Sequence, residues 1–464
     1  MMNSTHSSHD HFVLKLFNLD GKNVEHFHIR HSDNDVHVSI TLSLQEHTCP
    51  ICGSSTSSIK GYTTKKITHS ALNGTHCYIS YRARRMLCVA CKKTFYEHNP
   101  FTFPGMKVSL LTVYNVLNDL KSCNETFTSI AKRHNISTTT AASIFDKHVH
   151  VSRNPLPEIM CIDEVYAFKS DHSKYVCVLL DYTSQNIIDL LPDRHKGTLI
   201  DYFHHIPKEE RLRVKLICID MWQTYRTVAQ VMFPKAELAV DKFHVIQEFT
   251  RHLNQMRVKA MNQFYIRDRK ALYKYPIEQR NDIYYKEMMY YLFKKFHWLL
   301  YSTDSETLDV NKPKRYNHKL NRYLNYHDIL TMILDSDTQL KEVFNFYTRL
   351  RLFYMADSEQ SAKLALNQLI DLLHASNIES MNRFANTLTQ WKSEIIHSFI
   401  TIPNTDKRIN NAIIENTNKT IKNIKHNSNG FTNWDRFRNR ILYAINDNVT
   451  FSLYPLNTEK DQVI

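Results

Sequence analysis

The stretch "CIDEVYAFKSDHSKYVCVLLDY", residues 161–182, decides the fold. Asp163 and Glu164 stand at the end of one short apolar run, and a second run closes on Asp181. Short apolar runs bounded by polar turns read as buried strands. A solvated loop carries carboxylates at no cost; a buried strand end carries them only where their charge is compensated. In a chain of net charge +13, acids at such a position pose the question of a cation site.

The sequence around this stretch keeps the same texture. "IMCIDEVY", "KYVCVLLDY" and "NIIDLLPDR" read as three strands, "GTLIDYFHHI" as a helix and "RVKLICIDMW" as a fourth strand. "WQTYRTVAQVMF" reads as a helix, and "AELAVDKFHV" as a fifth strand running into another helix. Three strands, then alternation of helix and strand, is the order of an α/β, ribonuclease H-like mixed sheet. There the first and fourth strands are neighbours, so Asp163 and Asp220 at their ends are expected to face one another. Two such carboxylates repel unless a cation lies between them. Hard oxygen ligands suit Mg²⁺ (or Mn²⁺). Two ions roughly 3.5–4 Å apart can hold the attacking and leaving oxygens of an in-line phosphoryl transfer. Asp163 is then the shared ligand, Asp220 binds one ion, and a third carboxylate is required.

Strand alternation points Glu164 away from Asp163. Asp181 reads as structural, and Asp189 and Asp193 as surface or turn residues. Arg194 alone carries no assignment. Trp222 either stacks on an unpaired base or covers the sheet as a core aromatic. Downstream, residues 243–399 read as a long helical tract broken by a polar, Pro-containing loop. A further helix, in "NTDKRINNAIIENTNKTIKNIKHNSNG", sets Glu415 on one face with Asn411, Lys419 and Lys422. Glu415 is the candidate third ligand; an ordinary ion pair with Lys419 is the plain alternative.

Upstream, Cys49-x2-Cys52 and Cys88-x2-Cys91 have the spacing of two knuckles closing on one structural Zn²⁺. Cys77, Cys123, Cys161, Cys177 and Cys218 lie in apolar contexts and read as small core residues. His26, His28 and the amino-terminal His cluster read as surface residues. After the linker "HNPFTFPGMK", "ETFTSIAKRHNISTTTAASIFDKHV" reads as a helix-turn-helix with Ser137 capping its second helix. Thr138, Thr139, Thr140, Ser143 and Lys147 are left free to meet DNA.

The whole chain is consistent with these parts. Its 464 residues suffice for three or four domains. It shows no leader pattern and no run of eighteen apolar residues, so no membrane span and a cytoplasmic location are expected. Seven glycines exclude a fold built on Gly-rich phosphate loops. Arg82, Arg84, Arg85, Lys92 and Lys93 form one basic run without an acid; residues 251–275 and 401–440 hold two more. Three such runs interleaved with aromatics favour a polyanion partner, double-stranded DNA being the simplest.

Together, "CPICG", "CVACKKTF", the helix-turn-helix, "CIDEVYAFK", "LLPDRHKGTL", "IDMWQTY", "FPKAELAVDKFHVI" and "NAIIENTNKTIKNIKHNSNGFTNWDRFRNRILY" resemble bacterial insertion-sequence transposases of the DDE type, the ISL-three family. The resemblance runs in order from about residue 40 to 447. It implies catalytic acids at Asp163, Asp220 and Glu415, and an Asp-x2-His signature at Asp241 and His244. That pair, and Trp222 by its place just after Asp220, are read as site-adjacent. Glu415 is followed by Asn416 where the family commonly has Gly. The implied activity is metal-dependent cleavage at the 3′ ends of an element and transfer of the freed 3′-OH to target DNA. It also implies recognition of terminal inverted repeats, and a homodimer or higher assembly that pairs two ends is expected. A transposase-derived repressor without catalysis, or a related nuclease that cuts without joining, are the alternatives.

The expected organisation is an unassigned segment (1–45), a zinc finger (46–98) and a helix-turn-helix domain (106–152). The first part of the catalytic core (156–250), an all-helical insertion (251–400), the last part of the core with the Glu helix (401–450) and a tail (451–464) follow. DNA contacts are expected at Arg82, Arg84, Arg85, Thr138, Thr139, Lys147, Lys419 and Lys422.

Overall fold

The computed structural model of the chain describes residues 23–32, 34–72, 75–169, 173–267, 276–302, 304–403 and 405–453. The amino-terminal His cluster, the end of the 251–275 basic run and most of the carboxy-terminal tail lie outside the described residues.

The first sheet contains β1 (Val24–His31), β2 (Asp35–Leu42), β3 (Ser57–Leu72), β4 (Thr75–Cys88) and β5 (Thr94–Tyr96) in the order β1-β2-β4-β3, with β5 also on β4. Two strands from the segment that the sequence left unassigned thus share a sheet with the cysteine knuckles. Along β4, Cys77, Ile79, Tyr81 and Ala83 are buried, as alternation requires. Burial then moves to Arg84, Met86 and Cys88, close to where β3 shifts register between Ile59 and Gly61.

Three helices follow: α1 (Leu110–Asp119), α2 (Phe127–Arg133) and α3 (Thr138–His148). Each starts on a hydroxyl cap that satisfies an orphan amide. Ser109 accepts from Thr112, Thr126 from Ser129, and Ser137 from Thr140. The turn between α2 and α3 passes through Asn135 at φ 53°, which an Asn tolerates better than a β-branched residue would. Val113, Val116, Leu117, Ile130, Ile144 and Phe145 form the core, which Tyr443 from far along the chain completes.

The second sheet has β6 (Ile159–Tyr166), β7 (Tyr175–Asp181), β8 (Ile187–Leu191), β9 (Leu216–Ile219) and β10 (Glu237–Val240), ordered β10-β9-β6-β7-β8. β6, β7 and β8 pair antiparallel, whereas β9 runs parallel to both β6 and β10. The first and fourth strands of this sheet are therefore neighbours, as expected. Helices α4 (Lys196–His204), α5 (Lys208–Arg211) and α6 (Gln223–Met232) connect β8 through β9 to β10. Both faces of the sheet are covered, so its strands read as continuous apolar runs.

After β10 the chain builds a helical body from α7 (Lys242–Gln263), α8 (Ile277–Lys295), α9 (Tyr326–Asp335), α10 (Thr338–Tyr354), α11 (Glu359–Ala375), α12 (Glu379–Gln390) and α13 (Lys392–His397). The tract is not all-helical: β11 (Arg315–Asn317) and β12 (Arg322–Leu324) form a ribbon within it. Nor does α7 break near residue 250; it runs from the edge of the sheet into the helical body as one element. His397 returns the chain to β10, its Nδ1 lying 2.8 Å from the carbonyl of Leu238. Then α14 (Ala412–Asn427) and α15 (Trp434–Ile445) cover the other face of the sheet, packing Ile414, Ile421, Phe437 and Ile441 against Cys161, Val178 and Leu180.

Candidate active site and metal centre

The pairing of β6 with β9 stops at Cys161 opposite Cys218. Beyond it β6 continues without that neighbour, and β9 ends at Ile219, so Asp163, Glu164 and Asp220 come together where the β6–β9 pairing stops. One carboxylate oxygen from each lies within 4.8 Å of the others. Glu164 does not point away from this group, as simple alternation suggested. Its longer side chain reaches the open edge, where it pairs with Arg194 and accepts from the Tyr225 hydroxyl at 3.2 Å. Burial pushes the Asp163 carboxyl up to about 7, and the charges of Glu164 and Asp220 add to the effect. Asp220 is pushed up to about 7 by burial and by Glu164, against the pull of Arg194.

A second group adjoins the first. Asp241 leads into α7, His244 sits in its first turn and Glu415 projects from α14; one ligand atom of each lies within 4.8 Å of the others. Glu415 therefore keeps closest company with the Asp-x2-His pair, while Asp163 and Asp220 keep company with Glu164. Burial raises the Asp241 carboxyl, opposed by His244 and by the backbone amides of Phe243 and Asn411. The groups are joined through α14: Asn418, three residues after Glu415, donates to Asp163 Oδ2 at 2.8 Å. Sequence reasoning missed Asn418, although its i+3 spacing from Glu415 is the signal that finds it.

Several buried polar atoms here have no hydrogen-bond partner in the protein: Asp220 Oδ1, His244 Nε2, Asn418 Oδ1 and both amide atoms of Asn411. Such orphans are costly unless a ligand satisfies them. Hard carboxylate oxygens, those of Asp163, Asp220 and Asp241 held toward the protonated form, make a donor set that fits a divalent cation.

Arg194 lies above the first group, its guanidinium 4.5 Å from the Trp222 ring centroid and 4.6 Å from that of Tyr175. Trp222 is half-buried and stands edge-on to Tyr225 at 4.7 Å. It belongs to the rim of the site. A cleft of about 890 Å³ extends from Asp220 and Met221 along α7, past His244 and Arg251, to Tyr301 and Thr387. Asp181 is structural as expected, capping its own turn through Thr183 and Ser184. Asp189 and Asp193, expected at the surface or in turns, are both buried. Asp189 accepts from Arg438 at 2.6 Å and Tyr202 at 3.0 Å, and Asp193 caps the backbone of His195.

The sulfurs of Cys49, Cys52, Cys88 and Cys91 all lie within 4.8 Å of one another. Cys49 and Cys91 are 3.8 Å apart, and Cys52 and Cys88 3.5 Å; a tetrahedral Zn²⁺ with ~2.3 Å bonds separates its sulfurs by about 3.8 Å. The knuckles repeat each other. Gly53 N donates to Cys49 O and Lys92 N to Cys88 O, and both Gly53 and Lys92 have positive φ, 71° and 59°. The four sulfurs fit one zinc ion. Cys77, Cys161, Cys177 and Cys218 are buried, and His26 and His28 exposed, as read from the sequence.

Among the expected DNA contacts, Arg82, Arg85, Thr138, Thr139, Lys147, Lys419 and Lys422 are exposed. Arg84 is the exception. It is 2% exposed and its guanidinium is taken by Glu97 and Glu25. A strand face that looks outward by alternation is covered there by the segment after β5, and the arginine is part of the core.

Among the described residues no helix is long and apolar enough to cross a membrane. Residues 160–441 match a family described as transposase, and residues 45–91 match the zinc-finger of transposases IS204, IS1001, IS1096 and IS1165. The second match supports structural zinc at the four cysteines. The chain is 25% identical over 292 residues to the transposase for insertion sequence element IS1001 of Bordetella parapertussis, covering 63% of this chain and 62% of that protein. The chain thus spans less than two thirds of that relative's length. The transposase match takes in both strand ends, the helical body and the Glu415 helix, more than half of the chain, which belongs to the ISL3 family of DDE transposases.

Proposed function

We propose that this chain is a DNA transposase: it binds the terminal inverted repeats of an insertion sequence and catalyses metal-dependent strand cleavage and strand transfer. The observation that carries the reading is the meeting of Asp163, on β6 beyond its last pair with β9, and Asp220, just after β9, with both carboxyls pushed up to about 7. We read the β10-β9-β6-β7-β8 sheet as ribonuclease H-like and α2–α3 as a helix-turn-helix. The residues that would hold Mg²⁺ are Asp163, Asp220 and Glu415, with Glu164 and the Asp241–His244 pair around them. When bound, the metal supplies countercharge to the attacking and leaving oxygens of an in-line phosphoryl transfer.

The remaining work falls to side chains. Asn418 fixes one oxygen of Asp163 and so sets the rotamer the site needs. Arg194, its guanidinium over the rings of Trp222 and Tyr175, is placed to meet a phosphate at the rim. The cleft beside Asp220 gives a strand room to lie along α7. Exposed Thr138, Thr139 and Lys147 on α3 present a recognition face to the major groove, and Lys419 and Lys422 add positive charge along α14. Pairing of two element ends calls for a homodimer or larger assembly.

The test is cleavage and joining of labelled duplexes carrying the gene's own flanking repeats, with Mg²⁺, by wild type, Asp163→Asn and Glu415→Gln. Both variants should bind the ends like wild type and lose cleavage by on the order of a thousandfold, about 4 kcal/mol of transition-state stabilisation. If Glu415→Gln cuts like wild type, Glu415 is not the third ligand. Wild type that binds tightly and never cuts makes the chain a repressor.

A further inference from the structure

The stretch "VNKPKRYNHKLNRYLNYH", residues 310–327, contains Lys312, Lys314, Arg315, Lys319 and Arg322 and no acidic residue. The structure turns it into the β11–β12 ribbon, with Arg315 opposite Leu324, Tyr316 opposite Tyr323 and Asn317 opposite Arg322. Residues opposite one another in an antiparallel pair share a face. The two tyrosines therefore stand together on one side, their ring centroids 5.1 Å apart, and are 44% and 68% exposed. Arg315 and Arg322 share the other side as diagonal neighbours, both exposed.

The ribbon is held firmly. Leu320 at its tip is buried in the helical core, and the Asn317 side chain accepts from the amides of Lys319 and Leu320 at 3.1 and 3.2 Å. At its base the buried Asn325 side chain donates to the carbonyls of Val310 and Lys312, both at 3.0 Å. Lys312 and Lys314 reach Glu306 and Asp328, and Lys319 lies over the Tyr291 ring. Among the described residues, Arg315 and Arg322 have no such partner. Like charges side by side on one face are unfavourable by themselves, and an anion lying across them removes the repulsion. A two-stranded ribbon is also one of the elements the major groove admits.

We propose that this ribbon is a further duplex-DNA contact, carried by the helical body rather than by the amino-terminal modules, with Arg315 and Arg322 on backbone phosphates. The proposal rests on the transposase reading and extends its DNA surface. It is sequence-independent, since phosphate contacts position a protein without reading bases.

The test compares wild type with the Arg315→Ala/Arg322→Ala double variant. Binding to the duplex with flanking repeats and to a scrambled duplex of equal length is followed across a salt series by fluorescence anisotropy. Affinity for both duplexes should fall by a similar factor, on the order of tenfold, and the slope of log K against log salt should shrink by about 1.8. Melting should be unchanged, because both side chains are exposed. Wild-type affinity and slope in the double variant overturn the ribbon alone; wild type that binds neither duplex overturns it together with the transposase reading. A variant that changes the mass of the assembly in sedimentation, with the salt slope intact, assigns the ribbon to contact between copies of the chain and also overturns the proposal.

Discussion

The cysteine centre and the carboxylate cluster of this molecule are built in opposite ways. The cysteine centre closes between two knuckles of one hairpin sheet, and each knuckle places its two sulfurs by a local turn that the other repeats. The carboxylate cluster draws Asp163 with Glu164 from a strand and Asp220 from a strand end, and its neighbouring group takes Glu415 from a helix beyond a helical body. A knuckle specifies its geometry within a few residues, so spacing is enough to read it. Asp163 and Asp220 meet because β6 pairs with β9, and Glu415 comes beside them because α14 packs back on that sheet. Loss of one sulfur should therefore damage structure, and loss of one carboxylate should damage chemistry.

The largest expected effect breaks the local centre. Cys88→Ala removes one of four sulfurs around a zinc site of a kind that contributes on the order of 10 kcal/mol to folding. Zinc content should fall to near zero, and proteases should cleave the first sheet while the second resists. A variant that keeps its zinc and resists cleavage throughout would erase the contrast between the centres. A smaller effect is expected at Arg84, whose loss leaves Glu97, also buried, without its cation. Arg84→Ala should cost about 3–5 kcal/mol, seen as a lower melting temperature without a change in zinc stoichiometry; an unchanged melting temperature would return Arg84 to the DNA surface.

The third effect is smaller and tests the carboxylates without DNA. Asp163 and Asp220 have folded values near 7, above the usual carboxylate range. The metal-free native state therefore binds more protons than the unfolded chain between about pH 4 and 7. Stability should fall as pH rises through that window, by several °C in melting temperature, and Asp163→Asn should flatten the slope. Equal slopes in wild type and variant would mean that burial does not hold Asp163 toward its protonated form.

The same contrast explains what could be read from the sequence. The five strands of the second sheet, the capped helix after Ser137 and the four cysteines are legible because periodicity and spacing act locally. Glu164 departs from the expectation because β6 has no neighbour beyond Cys161 on the β9 side, which leaves an open edge that its long side chain reaches. Arg84 departs from the expectation because burial changes parity along β4 near a register shift in its partner. Asp189 looked like a turn residue until Arg438, 249 positions away, supplied its partner. Asn418 and the grouping of Glu415 with Asp241 and His244 depend on how α14 docks, which no local pattern records.

Asp163 and Asp220 are proposed to hold a divalent cation. This is tested most directly by titrating metal-free protein with Mn²⁺ and counting bound ions by electron paramagnetic resonance, in wild type, Asp163→Asn and Asp220→Asn. Wild type should bind Mn²⁺ displaceable by Mg²⁺, and each variant should lose at least one ion or weaken it by about tenfold or more while retaining its zinc. Equal Mn²⁺ binding in all three proteins would contradict the claim.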